Sequence, residues 1–321
     1  MKNRIIAIVL FILVIALGIT YIYIGPPQSV RVIVPPSLIA SLPMWVAEHE
    51  NIFSKKNIQV EFIQLTSSSN MVDAMISGNA DVLPAVSLHN LVTGGTRDNQ
   101  ALMQVIIYSH SRMRKSPPFD SLLTNTSTSI STLRDLVGKK IAVYPGTTAE
   151  MTLRHFLSIN NINSDEVTYV KLPPPEHEPA LLRADVAASF SYEPYRSVSL
   201  ENGKTRELYG SIYASLSEPS AIGVSAVSRS FYRNKTESAK KFLDAWDEAL
   251  MYIRSNPKSA RKILADKLGL SDSIAANATW VDATTTNETD FHIVDNTISA
   301  MKNAKMIPLD FILERDMVIR K

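Results

Sequence analysis

Short β-branched runs alternate with apolar stripes at three- and four-residue steps along most of the chain, a pattern that predicts strand followed by helix from Val30 onward. Val30 to Val34 reads as a strand, Pro35-Pro36-Ser37 turns it, and Pro43 suits the first turn of a helix carrying Met44, Trp45, Val46 and Ala47. Gln59 to Ile63 is the next strand. The polar loop Thr66-Ser67-Ser68-Ser69-Asn70 then opens a helix at Met71 that ends at Gly78. Asp81 to Val86 reads as strand, Ser87 starts a short helix, and Leu102 to Tyr108 reads as a buried strand. This βαβαβ order, with crossovers of about a dozen residues or more, implies a mostly parallel sheet covered on both faces.

A basic, proline-bearing loop, His110 to Phe119, interrupts the scheme, and Ser121 to Thr124 reads as a strand crossing into a second unit. There the pattern repeats: strand 140–144, helix 148–159, strand Val167 to Leu172, a short helix near Ala180 to Arg183, and strand Ala187 to Tyr192. Ala221 to Val227 reads as a returning strand, and everything after Thr236 reads as helical. Ala239, Phe242, Leu243, Trp246, Leu250 and Ile253 form one apolar face before Asn256-Pro257, and Ser259 to Leu268 forms a further helix. The expected fold class is α/β with two lobes: residues 28–122 with 222–321 form lobe 1, and residues 123–221 form lobe 2. Two crossings between lobes leave a cleft, the usual place for a small ligand.

The first 25 residues stand apart. Lys2 and Arg4 precede an uncharged apolar run from Ile5 to Ile24, long enough as a helix to span ~30 Å of hydrocarbon. The leading positive charges place the N-terminus in the cytoplasm and the folded part outside. No small-x-small cleavage site precedes Gly25-Pro26-Pro27, and Tyr21 and Tyr23 suit an interfacial belt, which favours an uncleaved N-terminal transmembrane anchor. A cleaved signal, leaving a secreted or periplasmic protein, is the alternative.

Composition narrows the chemistry. The 321 residues are 45% hydrophobic and 20% charged, an ordinary globular balance, and the net charge of +2 with no basic stripe argues against nucleic-acid binding. Without Lys2 and Arg4 the remainder is neutral. No cysteine is present, which removes a disulfide framework, a thiolate metal site, a cysteine nucleophile and a lipid-modified N-terminal cysteine together. Glu48-His49-Glu50 and Glu176-His177-Glu178 are adjacent residues that do not converge on one ion, so both read as solvated surface. Gly223-Val-Ser-Ala-Val lacks the second glycine of a nucleophile elbow, and Gly94-Gly95 lacks a phosphate-loop frame.

The most informative stretch is Asp135 to Glu150. Gly138 closes a short helix, Lys139 and Lys140 lead into the apolar run Ile141 to Tyr144, and Pro145-Gly146 turns the chain into a new helix. Thr147 and Glu150 have capping-box spacing, and Met151, Leu153, Phe156 and Leu157 share one face. Such a helix start collects unpaired N–H groups, a positive dipole end and two hydroxyls at a strand's carboxyl edge, where small polar ligands sit in open α/β sheets.

Gly138 to Glu150 resembles the second-lobe strand–turn–helix of the substrate-binding proteins of ABC importers for sulfonates, nitrate, taurine and pyrimidine thiamine precursors. Leu42 to Phe53 resembles that family's first helix and its exit, and Asn70 to Val82 its second helix and third strand. Ser191-Tyr192-Glu193-Pro194-Tyr195 resembles its W-E-P-Y segment, with Tyr192 in the tryptophan place. The likeness spans roughly Val30 to Leu268. It departs at Ala184-Asp185-Val186-Ala187, where the family often has Gly-x-x-Asp, and at Leu83 to His89, which lacks the family's usual glycine.

The resemblance implies a periplasmic-binding-protein-like fold of type II, a small-molecule ligand, permease and ATPase subunits as partners, no cofactor, and a monomer held to the membrane through its N-terminal helix. The expected ligand-binding residues are Ser37 and Ser41 after the first strand, Ser67 and Ser68 after the second and Ser87 after the third. Thr147, Thr148, Tyr192 and Glu193 are expected from the second lobe. Hydroxyls and helix-start N–H groups suit an anion, whereas the Glu193 carboxylate suits an amine or aminopyrimidine or else braces the hinge. No residue is expected to be catalytic. A pyrimidine-metabolism enzyme on the same fold and a membrane-tethered sensor are the alternative readings.

Overall fold

The computed structural model describes residues 26–36, 38–96 and 99–319. The expected membrane segment 1–25 and the candidate residue Ser37 lie outside those residues. Among the described residues no helix is long and apolar enough to cross a membrane.

Two five-stranded sheets organise the chain. In chain order the strands are β1 (Gln28–Ile33), β2 (Ile58–Ile63), β3 (Val82–Ser87), a small pair β4 (Gly95–Thr96) and β5 (Asn99–Gln100), and β6 (Val105–His110). These are followed by β7 (Asp120–Asn125), β8 (Lys140–Val143), β9 (Thr168–Lys171), β10 (Ala188–Tyr192), β11 (Thr205–Gly210) and β12 (Gly223–Ser228). The first sheet has the order β2-β1-β3-β12-β6 and the second β11-β7-β10-β8-β9. Each is mostly parallel, and each contains one reversed strand, β12 in the first and β7 in the second. The register explains the reversal. Gly210 pairs with Ser121, and Val224 pairs with His110, so both reversed strands begin where their neighbours end. A chain that crosses the cleft arrives at the carboxyl edge of the new sheet and has to run backwards through it.

The break expected after residue 122 falls inside β7, whose six residues all belong to the second sheet. The second-lobe helix expected near Ala180 starts earlier, at Pro174, where proline's fixed φ and missing N–H suit a first turn. Ala184, standing where glycine was expected, adopts a left-handed φ of 61°.

The core of the first lobe follows from the periodicities. Val82 and Leu83 of β3 are fully buried, as a central strand covered on both faces requires. The helix Thr236–Ser255 buries Ala239, Phe242, Ala245, Trp246 and Ala249, the small residues letting it lie close on helix Leu42–His49. Trp246 meets the Tyr108 ring edge-on at 5.3 Å. The expectation that everything after Thr236 is helical does not hold. After helix Phe291–Asn303 the chain runs without helix or strand, apart from one short turn, and pairs Val318 with Ile107 alongside β6. Pro308 lacks the N–H that continued helix needs, and the exposed edge of β6 offers the backbone other partners.

Candidate ligand-binding cleft

The carboxyl edges of the two sheets face one another across a cavity of about 170 Å³. The first lobe supplies Ser68, Ser87, Asn90, His110, Trp246 and Trp280 to its walls, and the second supplies Phe119, Tyr144, Thr148, Tyr192 and Tyr213. The lining is dominated by apolar and aromatic side chains with a few hydroxyls, and among the described residues it contains no lysine or arginine.

At the mouth the two lobes touch through side chains. Thr148 Oγ1 lies 2.6 Å from Ser87 Oγ and donates to Asn90 Oδ1 at 2.5 Å. Thr147 Oγ1 is 3.3 Å from His89 Nδ1, while His89 Nε2 is 3.0 Å from the carbonyl of Met306. Tyr144 donates its hydroxyl to the carbonyl of Thr66. Burial lowers the His89 pKa, and it raises that of Tyr144 to about 12, so both are neutral.

At the back, the crossings between lobes pair through backbone. Met113 and Ser220 exchange two hydrogen bonds, of 3.0 and 2.9 Å. The buried Asp120 carboxylate accepts from the backbone N–H of Ile212 at 2.6 Å and of Tyr213 at 3.2 Å.

The expected site residues divide. Ser68, Ser87, Thr148, Tyr192 and Glu193 line the cavity. Ser41 does not: it is fully buried and donates to the Pro35 carbonyl at 2.7 Å, closing the turn after β1. Ser67 stands at the N-cap of helix Ser68–Ile76 and is absent from the lining. Thr147 also lies outside the lining, and its capping box is absent. Thr147 makes no side-chain cap bond, and Glu150 pairs instead with Arg154 at 3.0 Å and Lys171 at 3.8 Å. Helical backbone at Thr147, φ −100° and ψ −30°, departs from the extended geometry a capping side chain normally needs.

Tyr192 ends β10 and stacks on Phe119 with ring centroids 6.2 Å apart. The Tyr192 and Tyr213 hydroxyls have no hydrogen-bond partner among the described residues, although both side chains are over nine-tenths buried. Glu193 is fully buried, and its oxygens are taken by Ser197 Oγ at 3.0 Å, Ser197 N at 3.3 Å and Arg196 Nη1 at 3.3 Å. It therefore braces the start of helix Tyr195–Glu201, and burial raises its pKa. His110 is committed too: Nδ1 faces the Ser111 carbonyl at 3.0 Å and Nε2 accepts the N–H of Asp290 at 3.1 Å, the pattern of a neutral ring.

His177 corrects another expectation. It is 1% exposed, bonded to the Leu172 carbonyl and Ser191 Oγ, with a pKa pushed down to about 4 by burial. The helix that begins at Pro174 turns it inward with Ala180 and Leu181, leaving Glu176 and Glu178 outside.

Several lining residues escaped the sequence. Tyr144 ends the expected strand 140–144 inside the most informative motif, so the carboxyl-edge rule could have found it. Tyr213, Trp246 and Trp280 carried no such signal, because they reach the cavity from a crossing, a long helix and an irregular segment.

Two α/β lobes, one reversed strand in each, and a cavity between their carboxyl edges define the class: a periplasmic-binding-protein-like fold. A family model described as NMT1/THI5 like matches residues 39–260, more than half of the chain, and the chain belongs to that family. The putative aliphatic sulfonates-binding protein of Bacillus subtilis (strain 168) is 23% identical over 264 residues, covering 80% of this chain and 72% of that protein. The alkanesulfonate-binding protein SsuA from Xanthomonas axonopodis pv. citri, solved with MOPS, superposes with a TM-score of 0.73 at 14% identity, over 92% of this chain and 100% of that one. The desulfurization enzyme DSZB shares the fold with a TM-score of 0.61 at 13% identity, over 87% of this chain and 93% of that one.

Proposed function

We propose that this protein is a solute-binding component of an ABC import system, capturing a small organic molecule between its lobes and presenting it to permease and ATPase subunits. The carrying observation is the cavity walled by both lobes and closed at its mouth by direct inter-lobe hydrogen bonds. A ligand that touches both walls favours the closed arrangement, which is capture by population shift. Binding-protein relatives and the apolar run at residues 5–24 support a protein working outside the cytoplasmic membrane, tethered by that run or released from it. In this reading lobe 1 comprises the first sheet with the C-terminal helices, and lobe 2 the second sheet.

The lining bears on the solute. Trp246, Trp280, Phe119 and Tyr144 favour an organic body, and with no lysine or arginine among the described residues of the wall a bare inorganic anion meets no counter-charge there. Ser68, Ser87, Thr148 and the free hydroxyls of Tyr192 and Tyr213 form the polar contacts. His110 and Glu193, the ionisable groups best placed for chemistry, are both held by the protein itself, which supports binding without turnover over an enzyme on this fold.

The test is a thermal-shift screen of the full-length chain against sulfonates, taurine, nitrate, aminopyrimidines and amino acids. A solute at 100 times its dissociation constant adds about 2.7 kcal/mol of stability. A shift lost in Tyr192→Ala supports the proposal. Chemical conversion of the bound solute turns it toward an enzyme.

A further inference from the structure

We propose that His89 is the positioning residue for lobe closure and makes solute capture proton-linked: it holds the mouth shut only as neutral imidazole. The inference rests on the cleft being a site that opens and closes.

Thr148 gives its proton to Asn90 Oδ1, so the short 2.6 Å contact with Ser87 is a bond donated by Ser87. The Met306 carbonyl accepts only from an N–H, so His89 carries its proton on Nε2 and leaves a lone pair on Nδ1. Thr147 Oγ1, 3.3 Å away on the other lobe, donates to that lone pair. The chain of bonds then runs from Met306 on the first lobe to Thr147 on the second, with Thr148 Oγ1 a further contact of Nδ1 at 3.5 Å.

A second proton on His89 upsets this arrangement in the closed form. The new N–H on Nδ1 obliges the Thr147 hydroxyl, which had donated, to rotate and accept instead. The new positive charge lies at the start of the twelve-residue helix Thr148–Ile159, whose dipole end is also positive. No carboxylate stands ready to compensate. Around His89, Lys305 precedes Met306 in the chain, Asp73 on helix Ser68–Ile76 is exposed, Glu150 is engaged by Arg154 and Lys171, and Tyr144 is held on Thr66. Once the lobes part, water solvates the imidazolium and the penalty disappears.

The direction follows. Burial lowers the His89 pKa in the closed form, whereas the open form has an ordinary imidazole value near ~6.5. Closure is therefore fully supported above that value and weakens as pH falls through it, with the proton favouring the open state.

The absence of cysteine makes the test direct. Nitroxide labels at Asp73→Cys and Ser158→Cys, both exposed positions on helices of opposite lobes, report the inter-lobe distance in the full-length chain by pulsed dipolar spectroscopy. No solute is added, so failure of the capture reading leaves this readout intact. The closed population relative to the open one should fall by about threefold or more between pH 8 and pH 5. His89→Gln, which keeps an N–H for Met306 but cannot titrate, should flatten that profile. Thr147→Val should lower the closed population at pH 8 with the melting temperature unchanged. A flat profile in the parent chain overturns the proposal, as does an unchanged profile in His89→Gln. If His89→Gln does not fold, an unchanged closed population in Thr147→Val at pH 8 overturns it.

Discussion

The back and the mouth of the cleft are joined by different chemistry. At the back, Met113 and Ser220 pair through backbone, and the buried Asp120 carboxylate accepts two backbone N–H groups from the opposite crossing. At the mouth the lobes meet through side-chain groups: hydroxyls, one amide, one imidazole and one phenol, the phenol reaching a backbone carbonyl. Buried backbone groups have no alternative partner, so opening the back is costly, whereas mouth hydroxyls exchange readily with water. In the proposed capture cycle the hinge lies where the bonds are obligatory and the opening where they are optional.

The strongest test of that contrast is Asp120→Ala, which strands two buried N–H groups. It should cost about 2–4 kcal/mol in chemical denaturation, and a loss below ~1 kcal/mol means the hinge does not depend on Asp120. Charge at the same position sharpens the point. Burial raises the Asp120 pKa to about 7, so the folded protein keeps a proton that the unfolded chain releases near ~4. The associated stability is present at low pH and lost as pH rises from there to about 7. Asp120→Asn, which retains an acceptor oxygen, should gain on the order of 1–3 kcal/mol at pH 8 and nothing at pH 4.

Smaller effects belong to the front of the cleft. Tyr192→Phe preserves the stack on Phe119 and removes only the free hydroxyl, so solute affinity should fall by about tenfold, read by titration calorimetry, with unchanged folding stability. Thr148→Val removes the bonds to Ser87 and Asn90. It should shift the open–closed balance while costing less than about 1 kcal/mol of global stability, measured by scattering and denaturation respectively. A global loss as large as that of Asp120→Ala erases the distinction between hinge and mouth.

Much of this architecture was legible. Strand–helix alternation is written in local periodicity, and the turn at Pro145-Gly146 correctly marked a helix start at the cleft. The details at that turn were not legible, because a capping box competes with partners brought in from elsewhere: Glu150 found Arg154 and Lys171, and Thr147 found His89. The serines show the same limit. Ser41 and Ser87 look equivalent as hydroxyls after a strand, yet one closes a local turn and the other meets the second lobe.

The sequence by itself determined the strand–helix alternation up to β10, the two-lobed α/β class, the family, and the lack of any thiol chemistry. Tertiary structure alone decided which side chains share the cavity. Ser87 and Thr148 are 61 residues apart in the chain, and His89 is 217 from Met306. Periodicity reports which face of an element is buried, but a contact between distant segments depends on the packing of everything between them.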